Sequence, residues 1–381
     1  MIKKINLKGR IDSSNAAEVE KNINDEIGDF EGSVSVDASL LDYISSAGLR
    51  IILRLKKRFK DTKIINCKSE VYEIFDMTGF TEMMDIQKAY RELSIEGCEV
   101  IGEGANGIVY RTDPDTIVKV YKNPDSLDEI HNERELARKA FVMGIPTAIP
   151  YDVVKVGDLY GSVFELLDAK SFNKLIQEGV SVEKLAKDSV DILKIIHSTE
   201  LKPGELPSKR VEAIGWAEYC QPYLPEEIGT KLVNLFKDIP ETNTMLHGDY
   251  HIKNIMNQNG ENLLIDMDTL AMGHPIYEFA AIYAAYKGFS CVDTENSARF
   301  LGITTPQALE FLDYTFKYYF EGESQEYIDE VATMSAIICY ARIMRRQIKR
   351  FGFDDPEAKA VIEFCQNYLI ENVPKIDKLY Y

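Results

Sequence analysis

Three glycines spaced Gly102-x-Gly104-x-x-Gly107 lie in CEVIGEGANGIVYRTDPDTIVKVYK, and the residues after the third glycine decide how this part of the chain can fold. A dinucleotide-binding turn needs a helix to begin there, so that helix amides meet a pyrophosphate. Here Ile108, Val109 and Tyr110 are strand formers, TDPD is a turn, and Thr116 to Tyr121 is a second strand carrying Lys119. The pattern predicts a glycine-rich hairpin followed by a strand with a central lysine. Such an arrangement covers nucleotide phosphates and lets Lys119 pair with their oxygens.

The helical run DEIHNERELARKAFVMG follows the lysine. Glu133 shares a face with Leu136, Ala137, Ala140 and Phe141, whereas Glu135 lies with Arg138 and Lys139, so Glu133 is the candidate to anchor Lys119. Further on, MLHGDYHIKNIMNQNGENLLIDMDTL sets Asp249 and Asn254 at the spacing of a kinase catalytic loop, where the acid meets a substrate hydroxyl and the carboxamide holds magnesium. The apolar strand LLIDMD then delivers Asp266, a hard oxygen donor suited to magnesium on phosphate. Asp268 is either a third acid near the metal or a partner of backbone amides. His247 and His251 sit among oxygen donors with Gly248 between them, which argues for loop orientation and against zinc.

Before this region, residues 1–94 alternate strand-like and helix-like runs: IKKINLKGRID, a helix at 16–27, SVSVD, a helix at 47–59, KIINC and a helix at 71–75. The expected fold is an α/β layer with a mixed sheet, in which a loop over 38–46 leads to a helix beginning at Ala47. Ser45 and Ser46 then stand at a helix N-terminus, as a cap for its free amides or as phosphoacceptors.

Charge is uneven along the chain. Residues 1–94 carry 15 Lys and Arg against 16 Asp and Glu, leaving 29 against 46 for the rest and a net charge of −18 overall. Such a field disfavours nucleic acid and anionic membranes and attracts cations. The six cysteines form no CxxC pair, and no run of about twenty apolar residues or signal peptide is evident, so a reduced, cytoplasmic protein is expected. ARIMRRQIKRF clusters Arg342, Arg345, Arg346, Lys349 and Arg350 as either a solvated helix face or an anion-binding patch. The aromatic residues at 314–320 read as core.

Two resemblances rest on these residues. LKGRID, VDASLLDYISSAGLRIIL and VYEIFDMTGF make residues 1–92 similar to an anti-sigma factor antagonist (STAS) domain. The resemblance implies a docking surface for an anti-sigma factor or related kinase, with Ser46 at the phosphorylated position and Ser45 beside it. HGDYHIKN, LLIDMDTLAMGHPIYEFA and GIPTAIPYDVV make residues 98–381 resemble the aminoglycoside phosphotransferase and choline kinase group. That resemblance implies a bilobal protein-kinase-like α+β fold, with an N-lobe about 98–167 and a largely helical C-lobe about 168–381. It also implies Asp249 as base, Asn254 and Asp266 as magnesium ligands, and Lys119 with Glu133 positioning the nucleotide. Adenine would lie on the hinge backbone near Phe164 to Leu167.

Together these readings predict a phosphotransferase that uses ATP or GTP with magnesium to phosphorylate a hydroxyl of a small metabolite. The acidic lobe tilts the acceptor toward an amine-bearing compound. Alternatives are a protein kinase acting on a STAS serine and a nucleotide-sensing adaptor in sigma-factor regulation.

Overall fold

Alternating apolar and polar residues make Ile2–Ile11 (β1) a strand that buries Ile5, Leu7 and Ile11. It opens the first of two units in this computed structural model, which describes residues 2–104, 106–148 and 150–381. The units are Met1–Glu96 with Val153–Tyr160, and Gly97–Asp152 with Gly161–Tyr381.

In the first unit β1 is followed by α1 (Ala16–Ile27), β2 (Ser33–Ile44), α2 (Ser46–Arg58), β3 (Thr62–Cys67), α3 (Ser69–Met77), the single turn α4 (Phe80–Met83) and β4 (Ile86–Lys88). The sheet runs β1-β2-β3-β4 with every pairing parallel, which corrects the expected mixed sheet. Each strand-to-strand connection passes through a helix, and a helical crossover brings the next strand back in the same direction. A second correction concerns 38–46, expected as loop. Strand β2 continues past Asp37 to Ile44, with register shifts against β1 between Asn6 and Lys8 and between Gly9 and Arg10. The Ser39 amide does bond Asp37 Oδ1 (2.9 Å), a local turn contact, but buried Leu41 and Ile44 carry the strand through it. The short β5 (Arg91–Glu92) pairs in parallel with Val154 and Lys155.

The second unit begins with the antiparallel hairpin β6 (Glu99–Glu103) and β7 (Gly107–Asp113), and β7 pairs with β8 (Thr116–Tyr121). Helix α5 (Leu127–Val142) follows; of the next two strands, β9 (Pro150–Val156) and β10 (Leu159–Glu165), residues Val153–Tyr160 belong to the first unit, and Gly161–Glu165 run antiparallel to β8. Beyond β11 (Lys170–Ser171) come α6 (Phe172–Gln177), α7 (Val182–Ser198), α8 (Lys209–Cys220) and α9 (Glu226–Asp238). Four short strands carry the acidic motifs: β12 (Met245–Leu246), β13 (Ile255–Gln258), β14 (Glu261–Leu264) and β15 (Ala271–Met272). The remainder is helical: α10 (Ile276–Tyr286), α11 (Asn296–Leu301), α12 (Thr305–Tyr319), α13 (Gln325–Arg350) and α14 (Pro356–Asn372).

Every residue of α10 is buried, so its sequence shows no polar face. Phe279 at its centre meets Phe316 and Phe320 at ring-centroid distances of 5.1 and 5.2 Å, so these two are core as expected, whereas Tyr314 and Tyr318 are half-buried and stack on each other at 6.0 Å. No helix among the described residues is long and apolar enough to cross a membrane.

Candidate active site

The glycine motif forms a hairpin. Gly102 lies in β6, the Gly104 amide bonds the Gly107 carbonyl (2.9 Å) across the tip, and the Lys122 amide bonds the Asn106 carbonyl (2.9 Å). A Cβ on Gly107 would lie 2.6 Å from the Val120 carbonyl oxygen, so the third glycine is required for β7 to lie against β8.

Lys119, central in β8, reaches Glu133 of α5 at 3.0 Å and Asp266 at 3.1 Å. Glu133 is buried and also accepts a hydrogen bond from the Tyr121 hydroxyl, while Glu135 pairs with Lys139 (3.1 Å) on the outer face. Burial disfavours charge on Lys119, but Glu133 and Asp266 outweigh it and hold the amine well above its ordinary range. Lys119 is therefore a fixed cation.

Asp266 adopts a left-handed backbone (φ 67°) two residues beyond β14 and opens a 3-10 turn at Met267–Thr269. A non-glycine residue there is uncommon, and such strain collects at functional positions. Asp268, in that turn, has its carboxyl pushed up to about 7 by burial and by Asp266, Glu133 and Asp249, against the opposing pull of Lys119.

Asp249 and Asn254 lie together on the loop after β12. The Asn254 carboxamide donates to the Asp249 backbone carbonyl (3.0 Å), and the Ile265 amide bonds the Asn254 carbonyl (3.0 Å), tying the loop to the segment that leads into Asp266. His251 Nε2 lies 3.5 Å from Asp249 Oδ2. Partial desolvation opposes ionisation of Asp249, yet His251, His247 and Arg342 outweigh it and hold the carboxyl low. His247 orients the loop: its Nδ1 accepts the Asp249 amide (3.3 Å), its carbonyl accepts the Thr269 hydroxyl (2.8 Å), and burial keeps its ring neutral. Gly248 is left-handed (φ 85°), and any Cβ there would run into the Thr269 carbonyl.

Glu278 was not singled out from the sequence. Buried in α10, it accepts the His247 amide (2.5 Å) and the Gly248 amide (3.0 Å), bracketing the backbone just before Asp249. Burial drives its carboxyl up to about 7, and Asp249 adds to this, although the two amides and Lys209 favour the charged form. The visible signal is a lone carboxylate within the apolar run IYEFAAIYAAY.

Phe164 lies in β10 opposite Ile117, and Leu167 is a half-buried residue just beyond that strand. Ser45 and Ser46 are in the first unit, where Ser45 Oγ accepts the Ala47 amide (3.2 Å) as the cap of α2, and Ser46 is exposed.

Among the described residues no three His, Cys, Asp or Glu side chains converge closely enough to hold a metal by themselves. The donor chemistry fits magnesium in company with phosphate. Burial and the nearby Asp266, Glu133 and Asp249 disfavour ionisation of Asp268, and Lys119 is the cation paired to Glu133 and Asp266. Asp266 and Asn254 could supply hard oxygens to a dication whose other ligands are phosphate and water.

A family model described as the phosphotransferase enzyme family matches residues 97–312, and a STAS domain model matches residues 2–93. BtrV of Bordetella bronchiseptica, named as an anti-sigma factor antagonist, is 33% identical over 84 residues, which make up 21% of this chain and 72% of that protein. Solved structures that match the chain include the gentamicin complex of APH(2")-IIa (16% identity, TM-score 0.47, 78% of this chain and 95% of that one). Another is ADP-bound aminoglycoside phosphotransferase APH(2'')-Ib (16% identity, TM-score 0.48, 81% and 99%). A third is a thermostable APH(4)-Ia in apo form (12% identity, TM-score 0.48, 72% and 94%).

Proposed function

Because the chain belongs to the phosphotransferase enzyme family and carries a STAS domain at its N-terminus, we propose that it transfers the γ-phosphoryl group of ATP or GTP to a hydroxyl of a small molecule. The observation that carries this reading is the junction of Lys119, Glu133 and Asp266 at 3.0 and 3.1 Å, beside a loop that holds Asp249 and Asn254 together.

In this reading Lys119, fixed by Glu133, binds phosphate oxygens, and the hairpin at Gly102, Gly104 and Gly107 covers them. Phe164 to Leu167 offers backbone to the base. Asp249, held ionised at neutral pH, accepts the hydrogen bond of the attacking hydroxyl, orients it and takes its proton as the phosphoryl group leaves. Asp266 and Asn254 hold magnesium, which offsets negative charge on the phosphates when bound. His247 and Glu278 fix the loop, so the contribution is mainly positioning. On net charge alone, the acidic excess of residues 95–381 favours an amine-bearing acceptor.

Magnesium-dependent binding of ATP and GTP, followed by thermal shift, and slow phosphate release test this on the wild type and Asp266→Ala. Both activities should be lost in the variant. A wild type that binds neither nucleotide at any magnesium concentration would refute the assignment.

A second reading concerns the first unit. Ser46 is exposed at the start of α2, where a helix N-terminus stabilises added negative charge, and it is the candidate phosphoacceptor for a kinase, including this one. Intact mass after incubation with ATP and magnesium should rise by one phosphate in the wild type and stay unchanged in Ser46→Ala. An unmodified wild type would sink self-phosphorylation and leave nucleotide-dependent docking of an anti-sigma factor as the remaining role for this domain.

A further inference from the structure

Around Asp249, the second unit gathers basic side chains that rest on aromatic rings. His251, in contact with Asp249, meets the Phe300 ring edge-on at 5.1 Å, and Phe300 meets Phe289 at 6.1 Å. Lys253 of the same loop stands over Phe300 at 5.1 Å, and Arg346 of α13 stands over Phe289 at 5.8 Å. One turn earlier on α13, Arg342 stacks on Trp216 at 5.4 Å and is close enough to Asp249 to help hold its carboxyl low. Arg345 stands over Tyr219 at 6.0 Å.

The acids on the facing elements are already engaged. Glu212 pairs with Lys209 (2.8 Å), Glu218 with Lys237 (2.9 Å), Asp293 with Arg299, and Glu295 accepts from Thr305 (2.8 Å). Among the described residues Arg342, Arg345, Arg346 and Lys253 meet aromatic rings and form no ion pair, and the Arg346 guanidinium is disfavoured by partial desolvation and by Arg350 and Arg342. Apart from the longer-range pull of Arg342 on Asp249, these arginines have no acidic partner. Their donors stay available, while the aromatic faces hold their stems.

We propose that the acceptor of this phosphotransferase is an anionic hydroxyl compound, one bearing a carboxylate or phosphate group that Arg342, Arg346 and Lys253 bind while its hydroxyl meets Asp249. The inference rests on the phosphotransferase reading and adds the acceptor's charge to it. It also reverses what net charge alone suggests. Phosphoryl transfer is unchanged in kind: the acceptor O–H bond breaks, its oxygen bonds to γ-phosphorus, ADP leaves and Asp249 takes the proton.

A probe series on one skeleton tests the charge preference: glucose, glucuronate, glucose 6-phosphate and glucosamine. Binding to the full-length protein loaded with magnesium and ADP is read by calorimetry. Glucuronate and glucose 6-phosphate should bind at least about tenfold tighter than glucose, one good charged contact being worth about 1.4 kcal/mol or more. Their relative affinities separate carboxylate from phosphate recognition. Arg346→Glu should weaken both anions and tighten glucosamine, a gain that misfolding cannot produce, whereas Arg346→Lys should keep the wild-type order. Glucosamine binding best to the wild type, or no order by charge, overturns the inference, as does an Arg346→Glu effect confined to ATP affinity. Failure of nucleotide binding itself would instead strike at the phosphotransferase reading.

Discussion

Glu278→Gln separates the two effects of the buried carboxylate beneath the loop that carries Asp249. Glu278 presents two oxygens to two backbone amides, at 2.5 Å from His247 and 3.0 Å from Gly248. Glutamine has the same shape but one acceptor oxygen, so one buried N–H would face an NH2 group, at a cost of about 1–3 kcal/mol. Against this stands the carboxyl displaced from 4.5 up to about 7 by burial. A folded-state value above the unfolded one means that the native protein binds the proton more tightly. Wild-type stability from this group is thus complete below about pH 4.5 and falls as pH rises through 7, by about 3 kcal/mol in all. Glutamine does not titrate and lacks that slope. Urea unfolding can be followed through Trp216, the one tryptophan of the sequence, buried in α8. Near pH 5 the variant should be the less stable protein, and by about pH 8 the difference should shrink by about 3 kcal/mol or change sign. Phosphoryl transfer should fall at both pH values, by up to about 100-fold, because the loop loses half its bracket. Parallel stability profiles for the two proteins, or a variant that suffers more at high pH, would refute the reasoning.

Asp249→Asn should retain nucleotide binding and lose about 10²–10⁴ in kcat, measured by ADP release in the presence of an active acceptor. Lys119→Met strands buried Glu133 and should destabilise the second unit by about 3–5 kcal/mol in urea, with Glu133→Gln in the same chain restoring part of the loss. Ser45→Ala removes the α2 cap and should cost the first unit about 1 kcal/mol, visible as faster hydrogen exchange at Ala47 and its neighbours. An equal exchange rate would mean that water serves those amides as well as the serine does.

The hairpin, the lysine strand and the acidic loop were legible because each is written in consecutive residues: β-formers after Gly107, a central lysine in TIVKVY, and the Asp249-to-Asn254 interval. Choosing Glu133 over Glu135 needed only helical periodicity. What escaped depended on distant pairing. Strand β2 runs on past Asp37 because Leu41 and Ile44 are buried against β1, a partner that local propensity does not see. The all-parallel order was implicit in the helix after every strand and was not drawn out. Glu278 lies 29 residues beyond Asp249 on another element, and its role exists only once α10 packs under the loop. The left-handed Asp266 is a backbone property that no side-chain pattern announces. The arginines of α13 were visible as a cluster, but whether they met acids or empty space was a tertiary question.

The shared lysine has a thermodynamic corollary. Lys119 divides its donors between Glu133 and Asp266, so the free protein satisfies with its own carboxylate the charge that a triphosphate would satisfy. A phosphate oxygen that captures Lys119 from Asp266 leaves that carboxylate short of a counter-charge and raises its affinity for a cation. By reciprocity, a cation on Asp266 releases the lysine for phosphate. In the proposed reaction metal and nucleotide are thereby heterotropic partners, and replacement of the lysine amine should cut their coupling back to what direct contact between phosphate and metal supplies.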